Sequence, residues 1–472
     1  MLPTRLNVLS EESGMVLHKI ERIHFVGIGG IGMSGIAEVL LNLGFKITGS
    51  DVRKTDITER LEKLGARILY GHKEENIVDS DVVVISSAIR MDNPEVKKAR
   101  ELFIPVIQRA EMLAELMRMK YSIAVAGAHG KTTTTSLVSS ILGHAGMDPT
   151  CVIGGKLNSL GSNAKLGDSK FLVAEADESD GTFLLLFPTI AVVTNIDLEH
   201  LDFYKDLNEI KEAFTAFLNK VPFYGLDIIC IDNKNLQSLI PLLKRRYMTY
   251  GLSKQADLRA ENIVYEGFTT KFKVIYKGYE LGEITLNMPG GHNVVNALAA
   301  CGVCIELDIP FATIKKALKK FSGVHRRLEV KWNADIKLLD DYGHHPTEIK
   351  ATLAAVRKIT KGRIIVAFQP HRYTRTKALM DEFISSFNEA DILIVTEIYA
   401  ASEDRIEGVT GTMLAENIRA GGHKQVFFAP TKEEAAEKVL EIAKNGDVVV
   451  TLGAGDIFKI DERLKSVWSG KA

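Results

Sequence analysis

The sequence has few cysteines, no long apolar run and no excess of charge of either sign, and each shortage excludes a class of protein. Only four of its 472 residues are cysteine, too few for a disulfide framework, so a reducing compartment is expected. The most apolar stretch, 183–196, is interrupted by polar residues and is shorter than the roughly 20 residues that span a bilayer. Lys plus Arg number 59 and Asp plus Glu 60, which argues against a surface built to bind nucleic acid or an anionic membrane.

The remaining composition is that of an ordinary globular protein. Hydrophobic residues make up 46% and charged residues 25% of the chain. The first twenty residues contain Glu11 and Glu12 and no long apolar core, so they do not resemble a secretory signal. We therefore expect a cytoplasmic protein with no nucleic-acid or membrane partner. The composition does not determine the oligomeric state, for which we expect a monomer or weak homodimer.

Apolar runs alternate with helix-like segments along the chain, which predicts an α/β protein of three domains with parallel sheets. Residues 263–288 are instead β-rich, short and punctuated by glycine, and we interpret them as a small antiparallel addition to the second sheet. The boundaries fall near residues 118 and 325. The predicted domains are 1–118, with 1–20 as an extra segment, 119–325 and 326–472.

The most informative segment is an apolar strand that runs into Gly127-Ala128-His129-Gly130-Lys131-Thr132-Thr133, with a helix-compatible segment behind it. Glycines let successive N–H groups turn toward phosphate oxygens, and the helix adds its positive end. Lys131 would supply a charge to the β- and γ-phosphates, and the Thr132 hydroxyl can bind Mg²⁺. Val125 stands where the full eight-residue loop has glycine, so this is the shorter GxxGKT form. The alternative is a tight turn that merely contains a lysine.

A second glycine-rich turn, Gly27-Ile28-Gly29-Gly30-Ile31-Gly32, follows the first strand candidate, and Asp51 ends the next one. This pattern is typical of a site for a nucleotide diphosphate, with the pyrophosphate at a helix N-terminus and the carboxylate on a ribose hydroxyl. It does not by itself specify a nicotinamide cofactor. The alternative is close packing of helix on strand without a ligand.

Charged side chains follow four further strand candidates, at the sheet edge where α/β proteins bind ligands. Glu175 opens EADESD, and His200 lies beside carboxylates in TNIDLEHLD, so both are candidate metal ligands. DDYGHHP and QPHRYTR end two strands of the third domain, where Arg372 and Arg375 can present two guanidinium groups to a carboxylate or phosphate. The alternatives are a solvated acidic loop, a structural histidine and two surface arginines.

Cys301 and Cys304 have CxxC spacing but no second Cys or His pair at zinc spacing. We interpret both as core thiols.

Taken in order, the motifs resemble those of the Mur ligase family, ATP-dependent enzymes that join amino acids to a UDP-sugar in building peptidoglycan. The segments that carry the resemblance span residues 24 to about 376: HFVGIGGIGMSGIAEVL, GAHGKTTTT, EADESD, TNIDLEHLDFY, GGHNVVNALAA, DDYGHHPTE and QPHRYTRT. The resemblance implies the three-domain Mur ligase architecture: a Rossmann-like N-terminal domain for the UDP-sugar, a central P-loop ATPase sheet, and a Rossmann-like C-terminal domain that binds the amino acid and closes on ATP.

The resemblance also implies a reaction, in which ATP and Mg²⁺ serve to join L-alanine to the lactyl carboxylate of UDP-N-acetylmuramate through an acyl phosphate. Three alternatives stay open at this point. One is a related ligase that attaches a preformed murein tripeptide to the same sugar. Another is a nicotinamide-dependent dehydrogenase, suggested by GIGGIG, which leaves GAHGKTTTT unexplained. The third is a non-catalytic UDP-sugar sensor.

Residue roles are implied in the same way. For ATP, the resemblance implies that the loop from Gly127 to Thr133 and Arg327 bind the phosphates, that Asn293 and Asn296 contact adenine, and that Asp341 binds the ribose. For Mg²⁺ it implies Thr132, Glu175 and His200 as ligands. Residues implied for the UDP-sugar are Gly29, Gly30, Ile31, Gly32, Ser50, Asp51, His72, Ser86 and Ser87; those implied for the amino acid and acyl group are Tyr342, His344, Arg372 and Arg375. Catalysis would depend on Lys131, His200, Arg327, His344, Arg372 and Arg375.

Two departures from the family pattern bear on these roles. Ala128 stands where the family usually has threonine, so one possible hydroxyl contact is missing. The family's RRF is here Arg326-Arg327-Leu328, which leaves open which arginine reaches phosphate. Whether His344 or a nearby carboxylate accepts the ammonium proton is also left open.

Overall fold

The computed structural model describes residues 20–86, 88–153, 164–200, 203–401 and 403–470. The N-terminal segment before residue 20 and Ser87 lie outside these ranges. The chain divides into two compact units, one of 1–260, 274–282 and 295–318 and the other of 261–273, 283–294 and 319–472. No helix in the described ranges is long and apolar enough to cross a bilayer.

The first sheet has five parallel strands in the order β3-β2-β1-β4-β5. Its elements are β1 (Arg22–Val26), α1 (Ile31–Asn42), β2 (Lys46–Asp51), α2 (Asp56–Lys63), β3 (Arg67–Tyr70), β4 (Val82–Ile85), α3 (Pro94–Glu101), β5 (Val106–Gln108) and α4 (Arg109–Arg118). The connections run outward in opposite directions from β1, so a crevice opens beyond the carboxyl ends of β1 and β4.

The second sheet has ten strands in the order β15-β14-β13-β12-β11-β10-β6-β9-β7-β8. Its elements are β6 (Tyr121–Ala126), α5 (Lys131–His144), β7 (Thr150–Val152), β8 (Ala164–Lys165), β9 (Phe171–Glu175), β10 (Ile190–Val193), α6 (Leu207–Leu218), β11 (Leu226–Cys230), α7 (Lys234–Gln237), β12 (Tyr247–Gly251), β13 (Leu258–Glu266), β14 (Thr269–Tyr276), β15 (Tyr279–Leu286), α8 (Gly291–Glu306) and α9 (Phe311–Lys320). Two-residue turns join β13 to β14 and β14 to β15, so these three form the expected antiparallel addition.

The third sheet has the order β16-β17-β21-β18-β19-β20, parallel except for the pair β16–β17. Its elements are β16 (Glu329–Asn333), β17 (Lys337–Asp341), α10 (Pro346–Ile359), β18 (Ile364–Phe368), α11 (Tyr373–Ala378), α12 (Met380–Ile384), β19 (Ile392–Val395), α13 (Gly411–Ala420), β20 (Val426–Phe428), α14 (Lys432–Ile442), β21 (Val448–Leu452) and α15 (Ile460–Trp468). Apolar clusters cover both of its faces, which explains why its strands are apolar runs without alternation.

The predicted fold class is confirmed: the chain is α/β with three domains. Cys301 and Cys304 are buried free thiols inside α8, consistent with their interpretation as core residues.

Asp227 in β11 is a buried carboxyl group in the middle of the second sheet. It is completely buried, and within the described part of the chain neither of its oxygens has a hydrogen-bond partner. Burial raises the pKa of Asp227 to about 8, because a charge without donors is costly away from water. The group is therefore protonated in the folded chain near neutral pH.

This pKa predicts a pH dependence of stability. The folded chain holds the Asp227 proton up to about pH 8, whereas an aspartate in the unfolded chain has a pKa of about 3.9. The contribution of Asp227 to the free energy of unfolding is therefore largest below about pH 4, and it is lost as the pH rises to about 8. In Asp227→Asn, which cannot ionise, the thermal midpoint should fall less between pH 5 and pH 8 than in the unaltered chain. The control is Asp404→Asn, at an exposed position; equal slopes for Asp227→Asn and the unaltered chain would contradict the assignment.

Candidate functional site

The glycine loop after β6 has the backbone that its sequence predicts. Gly127 and Gly130 have φ of +125° and +84°, left-handed conformations that glycine adopts without strain. Gly130 precedes the first turn of α5, and Lys131 is the first residue of that helix. A Cβ at Gly130 would lie 2.6 Å from Asn296 Oδ1, so this predicted nucleotide residue is next to the loop. The N–H groups of the first helical turn form a potential anion site.

The loop is held by the residues that follow β10. The Asn195 side chain accepts a hydrogen bond from His129 N at 2.8 Å and donates one to His129 O at 2.9 Å. Thr194 Oγ1 donates to the same carbonyl at 2.6 Å, and Ala128 N donates to Asn195 O at 3.2 Å. The amides of Ala128 and His129 are thus used inside the protein, and the amides of the first turn of α5 are better placed for a phosphate.

Lys131 is paired with a carboxylate that the sequence interpretation did not single out. Its Nζ lies 2.9 Å from both oxygens of Glu178 and donates to Gly127 O at 2.6 Å. Burial alone would lower the pKa of Lys131, but the charges of Glu178 and Asp177 outweigh it and place this pKa above its ordinary value. The lysine is therefore charged and ordered beside the loop.

A metal-capable group of side chains lies next to this ion pair. Glu178, Glu199 and His200 bring one ligand atom each within 4.8 Å of one another. Of the residues predicted to bind Mg²⁺, His200 belongs to this group, Thr132 is the second residue of α5, and Glu175 is the last residue of β9. Carboxylate and hydroxyl oxygens are ligands that Mg²⁺ prefers, so the donor set fits this ion.

The glycine turn after β1 and Asp51, which the sequence predicts to bind a ribose hydroxyl, contact one another. Gly29 N donates to Asp51 Oδ2 at 2.9 Å, and Gly27 N donates to Ser50 O at 2.8 Å. Gly30 precedes α1, Ile31 is its first residue, and Gly32 lies in its first turn. The turn thus presents a helix N-terminus at the crevice of the first sheet.

The other predicted UDP-sugar residues lie at different depths. Ser50 is completely buried, and its hydroxyl lies 3.0 Å from Nδ1 of His72, whose side chain is 20% exposed. Ser86 Oγ would be 3.9 Å from a Cβ at Gly27, which places it at the turn.

Arg109, which the sequence interpretation missed, lies at this turn as well. It is the first residue of α4, and its guanidinium group occupies the space that a side chain at Gly32 would fill. Its Nη2 lies 3.5 Å from Asp177 Oδ2. Its position directly after β5 is the only sequence signal that could have identified it.

In the second unit, the two adjacent arginines have different surroundings. Arg326 has a left-handed backbone, with φ of +58°, and its side chain is only 10% exposed. Its guanidinium group bonds to Asp340 Oδ2 at 3.1 Å and to the carbonyls of Gly453 and Gly455. The Arg327 side chain is 25% exposed and lies 3.4 Å from Glu348 Oε1. Arg326 is therefore part of the interior, and Arg327 is the arginine that a ligand can reach.

Asp341, the predicted ribose ligand, is buried, and burial raises its pKa to about 6. Its oxygens accept hydrogen bonds from Leu328 N and Gly343 N, each at 2.8 Å. His344 Nδ1 lies 3.1 Å from Tyr342 O, and the two rings meet edge to face at 5.5 Å. Tyr342 and His344 thus lie together after β17.

Arg375 is held by a second residue that the sequence interpretation missed. Its Nη1 lies 3.2 Å from Nδ1 of His371, whose ring stacks on Tyr399 at 5.7 Å. Burial lowers the pKa of His371 to about 3, so its neutral ring can accept the hydrogen bond. Arg372 has a φ of +70° and its Nε lies 3.9 Å from Glu403.

Asn293 is 2% exposed and its amide donates to Pro289 O at 2.7 Å. It is thus engaged within the protein, whereas Asn296, one helical turn further along α8, lies at the phosphate loop.

Comparison with known proteins gives matches along most of the chain. Three family descriptions match in order: "Mur ligase family, catalytic domain" over residues 22–121, "Mur ligase middle domain" over 125–304 and "Mur ligase, glutamate ligase domain" over 326–455. A UDP-N-acetylmuramate–L-alanine ligase from Geotalea uraniireducens is 62% identical over 447 residues, 94% of this chain and 98% of that protein. The ligase of the same name from Geobacter sulfurreducens is 58% identical over 94% of this chain and 97% of that protein.

Solved structures give the same result. The crystal structure of the UDP-N-acetylmuramate–alanine ligase from Thermotoga maritima has a TM-score of 0.81 and 30% identity, covering 96% of this chain and 100% of that one. A murein peptide ligase from Psychrobacter arcticus has a TM-score of 0.69 and 25% identity, covering 94% and 98%. On these matches, this chain belongs to the Mur ligase family.

Proposed function

We propose that this chain joins L-alanine to the lactyl carboxylate of UDP-N-acetylmuramate at the expense of ATP, in the biosynthesis of peptidoglycan. The observation that carries the proposal is the 62% identity, over 94% of the chain, to a protein of that name. The charged lysine beside a glycine loop and the separate glycine turn with its acidic partner supply the two phosphate sites that such a reaction needs.

The chemistry explains why ATP is consumed. A carboxylate is a poor acyl donor because its leaving group would be oxide. Transfer of the γ-phosphoryl group of ATP to the lactyl carboxylate gives an acyl phosphate and ADP. The amine of L-alanine then attacks the carbonyl carbon, and inorganic phosphate leaves as the amide forms.

Both steps gather negative charge on phosphate oxygens, so we assign the phosphate residues an electrostatic and positioning role. Lys131, the residues from Gly127 to Thr133 and Arg327 act on the phosphates of ATP. Asn296, and with it Asn293, acts at the adenine end, and Asp341 acts on ribose. We assign the phosphate contact to Arg327 and not to Arg326, because the guanidinium group of Arg326 already donates hydrogen bonds to Asp340 and to two carbonyl groups.

Mg²⁺, when bound, would neutralise phosphate charge and align the oxygens. We propose that Thr132, Glu175 and His200 hold it. Glu178 and Glu199 add negative charge at the same place, since each lies within 4 Å of His200.

For the amino acid and the acyl group we propose Tyr342, His344, Arg372 and Arg375. His344 is the candidate acceptor of the ammonium proton. Because its Nδ1 can donate to Tyr342 O, the lone pair of its neutral ring lies on Nε2.

The UDP-sugar is assigned to the first sheet, with Gly29, Gly30, Ile31, Gly32, Asp51, His72 and Ser86 as contact residues and Ser50 behind them; Ser87 stays in this proposal, although the structure does not describe it. We place the domain boundaries near residues 118 and 325. We further propose that the protein works in the cytoplasm as a monomer or weak homodimer on these small molecules alone, in keeping with its four free, buried cysteines.

The murein peptide ligase reaction is the second candidate, since a structure of that name also matches. Phosphate release from ATP should require UDP-N-acetylmuramate and L-alanine together, and the murein tripeptide should not replace L-alanine. Parallel assays with each acceptor at equal concentration would measure this. Faster release with the tripeptide would favour the second candidate, and no release with any acceptor would refute both.

Lys131→Ala should reduce phosphate release by at least ~10²-fold, the scale of losing one preorganised group that stabilises transition-state charge. Lys234→Ala is the matched control, because Lys234 is likewise the first residue of a helix but is exposed. Steady-state kinetics with saturating ATP measures the effect. Turnover of Lys131→Ala close to that of the control would contradict the assigned role.

The two adjacent arginines should separate stability from activity. Arg326→Ala leaves Asp340 buried without its partner and should destabilise the chain by about 3 to 5 kcal/mol. Arg327→Ala should keep its thermal midpoint and lose ligation by about tenfold or more, since one charged phosphate contact disappears. Thermal unfolding and phosphate release, measured on both variants, test this. The reverse pattern would assign the phosphate to Arg326.

A further inference from the structure

Glu95 is a completely buried carboxylate that the proposed function has not used. It lies in the first turn of α3, after Asn93, whose side chain accepts a hydrogen bond from Glu95 N. The positive end of the helix favours a negative charge at this position. A carboxylate is rarely buried unless hydrogen-bond donors surround it. The donors around Glu95 therefore indicate its role in the protein.

One oxygen of Glu95 lies near three side chains from different segments of the first sheet: His24 within β1, Ser50 near the end of β2 and His72 just after β3. Oε2 accepts a hydrogen bond from Ser50 Oγ at 2.6 Å. The same oxygen lies 3.4 Å from His72 Nδ1 and 3.6 Å from His24 Nε2. Three separate segments of the first sheet thus converge on one carboxylate oxygen.

The second oxygen, Oε1, accepts hydrogen bonds from the Asn76 amide and, at 3.4 Å, from Lys73 N. Burial alone would raise the pKa of Glu95, but His24, Ser50 and Asn76 outweigh it and hold this pKa below its ordinary value. Glu95 is therefore ionised in the folded chain and acts only as an acceptor.

The ionised carboxylate fixes the direction of the hydrogen bonds around Ser50. The single hydroxyl hydrogen of Ser50 is donated to Glu95, so Ser50 Oγ must accept at its 3.0 Å contact with His72 Nδ1. His72 then carries a proton on Nδ1, and in the neutral ring its lone pair lies on Nε2. The side chain is 20% exposed, so the ring is accessible from the crevice.

Ser50 also connects this network to the glycine-rich turn. Its carbonyl oxygen accepts hydrogen bonds from Gly27 N at 2.8 Å and Ile28 N at 3.0 Å. A change at Glu95 therefore reaches His72 both directly, by the 3.4 Å contact with Nδ1, and through Ser50, and it reaches the turn through Ser50.

We propose that Glu95 is a positioning residue for nucleotide binding: through Ser50 and through its own contact with Nδ1, it holds His72 with Nε2 as the acceptor for a hydrogen-bond donor of the uridine part of the substrate. The donor is either a ribose hydroxyl or the imide N–H of uracil. This inference rests on the proposed function, because it takes the first sheet as the UDP-sugar site.

The first test is binding of UDP-N-acetylmuramate in the absence of ATP, measured by calorimetry. Glu95→Gln replaces the acceptor by an amide and should weaken binding about tenfold, the scale of one hydrogen bond. The KM for the UDP-sugar should rise by the same factor, with kcat and the KM for ATP unchanged. Glu101→Gln on the same helix is the control, because Glu101 is exposed and pairs only with Lys98.

The second test reads the tautomer of His72 by ¹⁵N nuclear magnetic resonance, which a purely structural role of Glu95 would not change. The unaltered chain should show the proton on Nδ1, and Glu95→Gln should shift population to the Nε2–H form. Ser50→Ala removes the connecting hydroxyl but leaves the direct contact of Glu95 with His72 Nδ1, so it should give a smaller shift in the same direction, and it provides the measurement if Glu95→Gln does not fold. A His72 tautomer that is unchanged in Glu95→Gln, or in Ser50→Ala where that variant alone folds, would overturn the proposal.

Ligand analogues identify the donor. Binding of 2′-deoxy-UDP, 3′-deoxy-UDP and N3-methyl-UDP is compared with that of UDP, in the unaltered chain and in His72→Ala. The analogue that lacks the relevant donor should lose affinity only in the unaltered chain; full affinity for all three would overturn the proposal. If the unaltered chain binds UDP-N-acetylmuramate but Glu95→Gln binds it equally well, this inference alone fails, whereas no binding by the unaltered chain refutes the proposed function too.

Discussion

Glu95, Glu178 and Asp340 are carboxylates held almost completely out of water, one at the edge of each sheet. An isolated charge in such a place costs several kcal/mol, so each carboxylate must collect donors from separate segments of the chain. Glu178 collects the amino group of Lys131, and Asp340 collects the guanidinium group of Arg326. Each buried carboxylate therefore ties together segments of the chain that are distant in sequence.

This ordering has a consequence for binding. Lys131 is charged, and the protein's own groups, Glu178 and the carbonyl of Gly127, hold its ammonium group. The entropy of fixing a long side chain is thus lost during folding and not during binding, which is the general advantage of preorganisation. If the loop binds ATP as proposed, a phosphate that approaches it meets a lysine already in place and competes with Glu178 for the ammonium group.

The sequence was sufficient for features that local patterns encode. The apolar strands, the two glycine turns and the charged strand ends follow from composition and spacing, and the fold class is confirmed. The strands β7, β8, β12 and β16 were not predicted; β7 has only three residues and β8 two, and β16, at a sheet edge, lacks a clear apolar run. The sequence pointed to Glu175 at the end of β9, but which carboxylate of EADESD meets Lys131 depends on the path of the loop after the strand, which no pattern specifies.

The same limit explains why neighbouring residues of one motif have different roles. In Arg326-Arg327, the left-handed backbone at the first residue directs it to interior partners, and the second remains partly exposed. Ser50 and His72, which lie in different segments, show the same difference, since Ser50 is completely buried and the His72 side chain is 20% exposed. In each pair the more buried side chain makes contacts only within the protein, and the less buried one can reach a ligand. A motif read from sequence therefore identifies where a site lies, while burial and hydrogen-bond direction decide which of its residues reach the ligand.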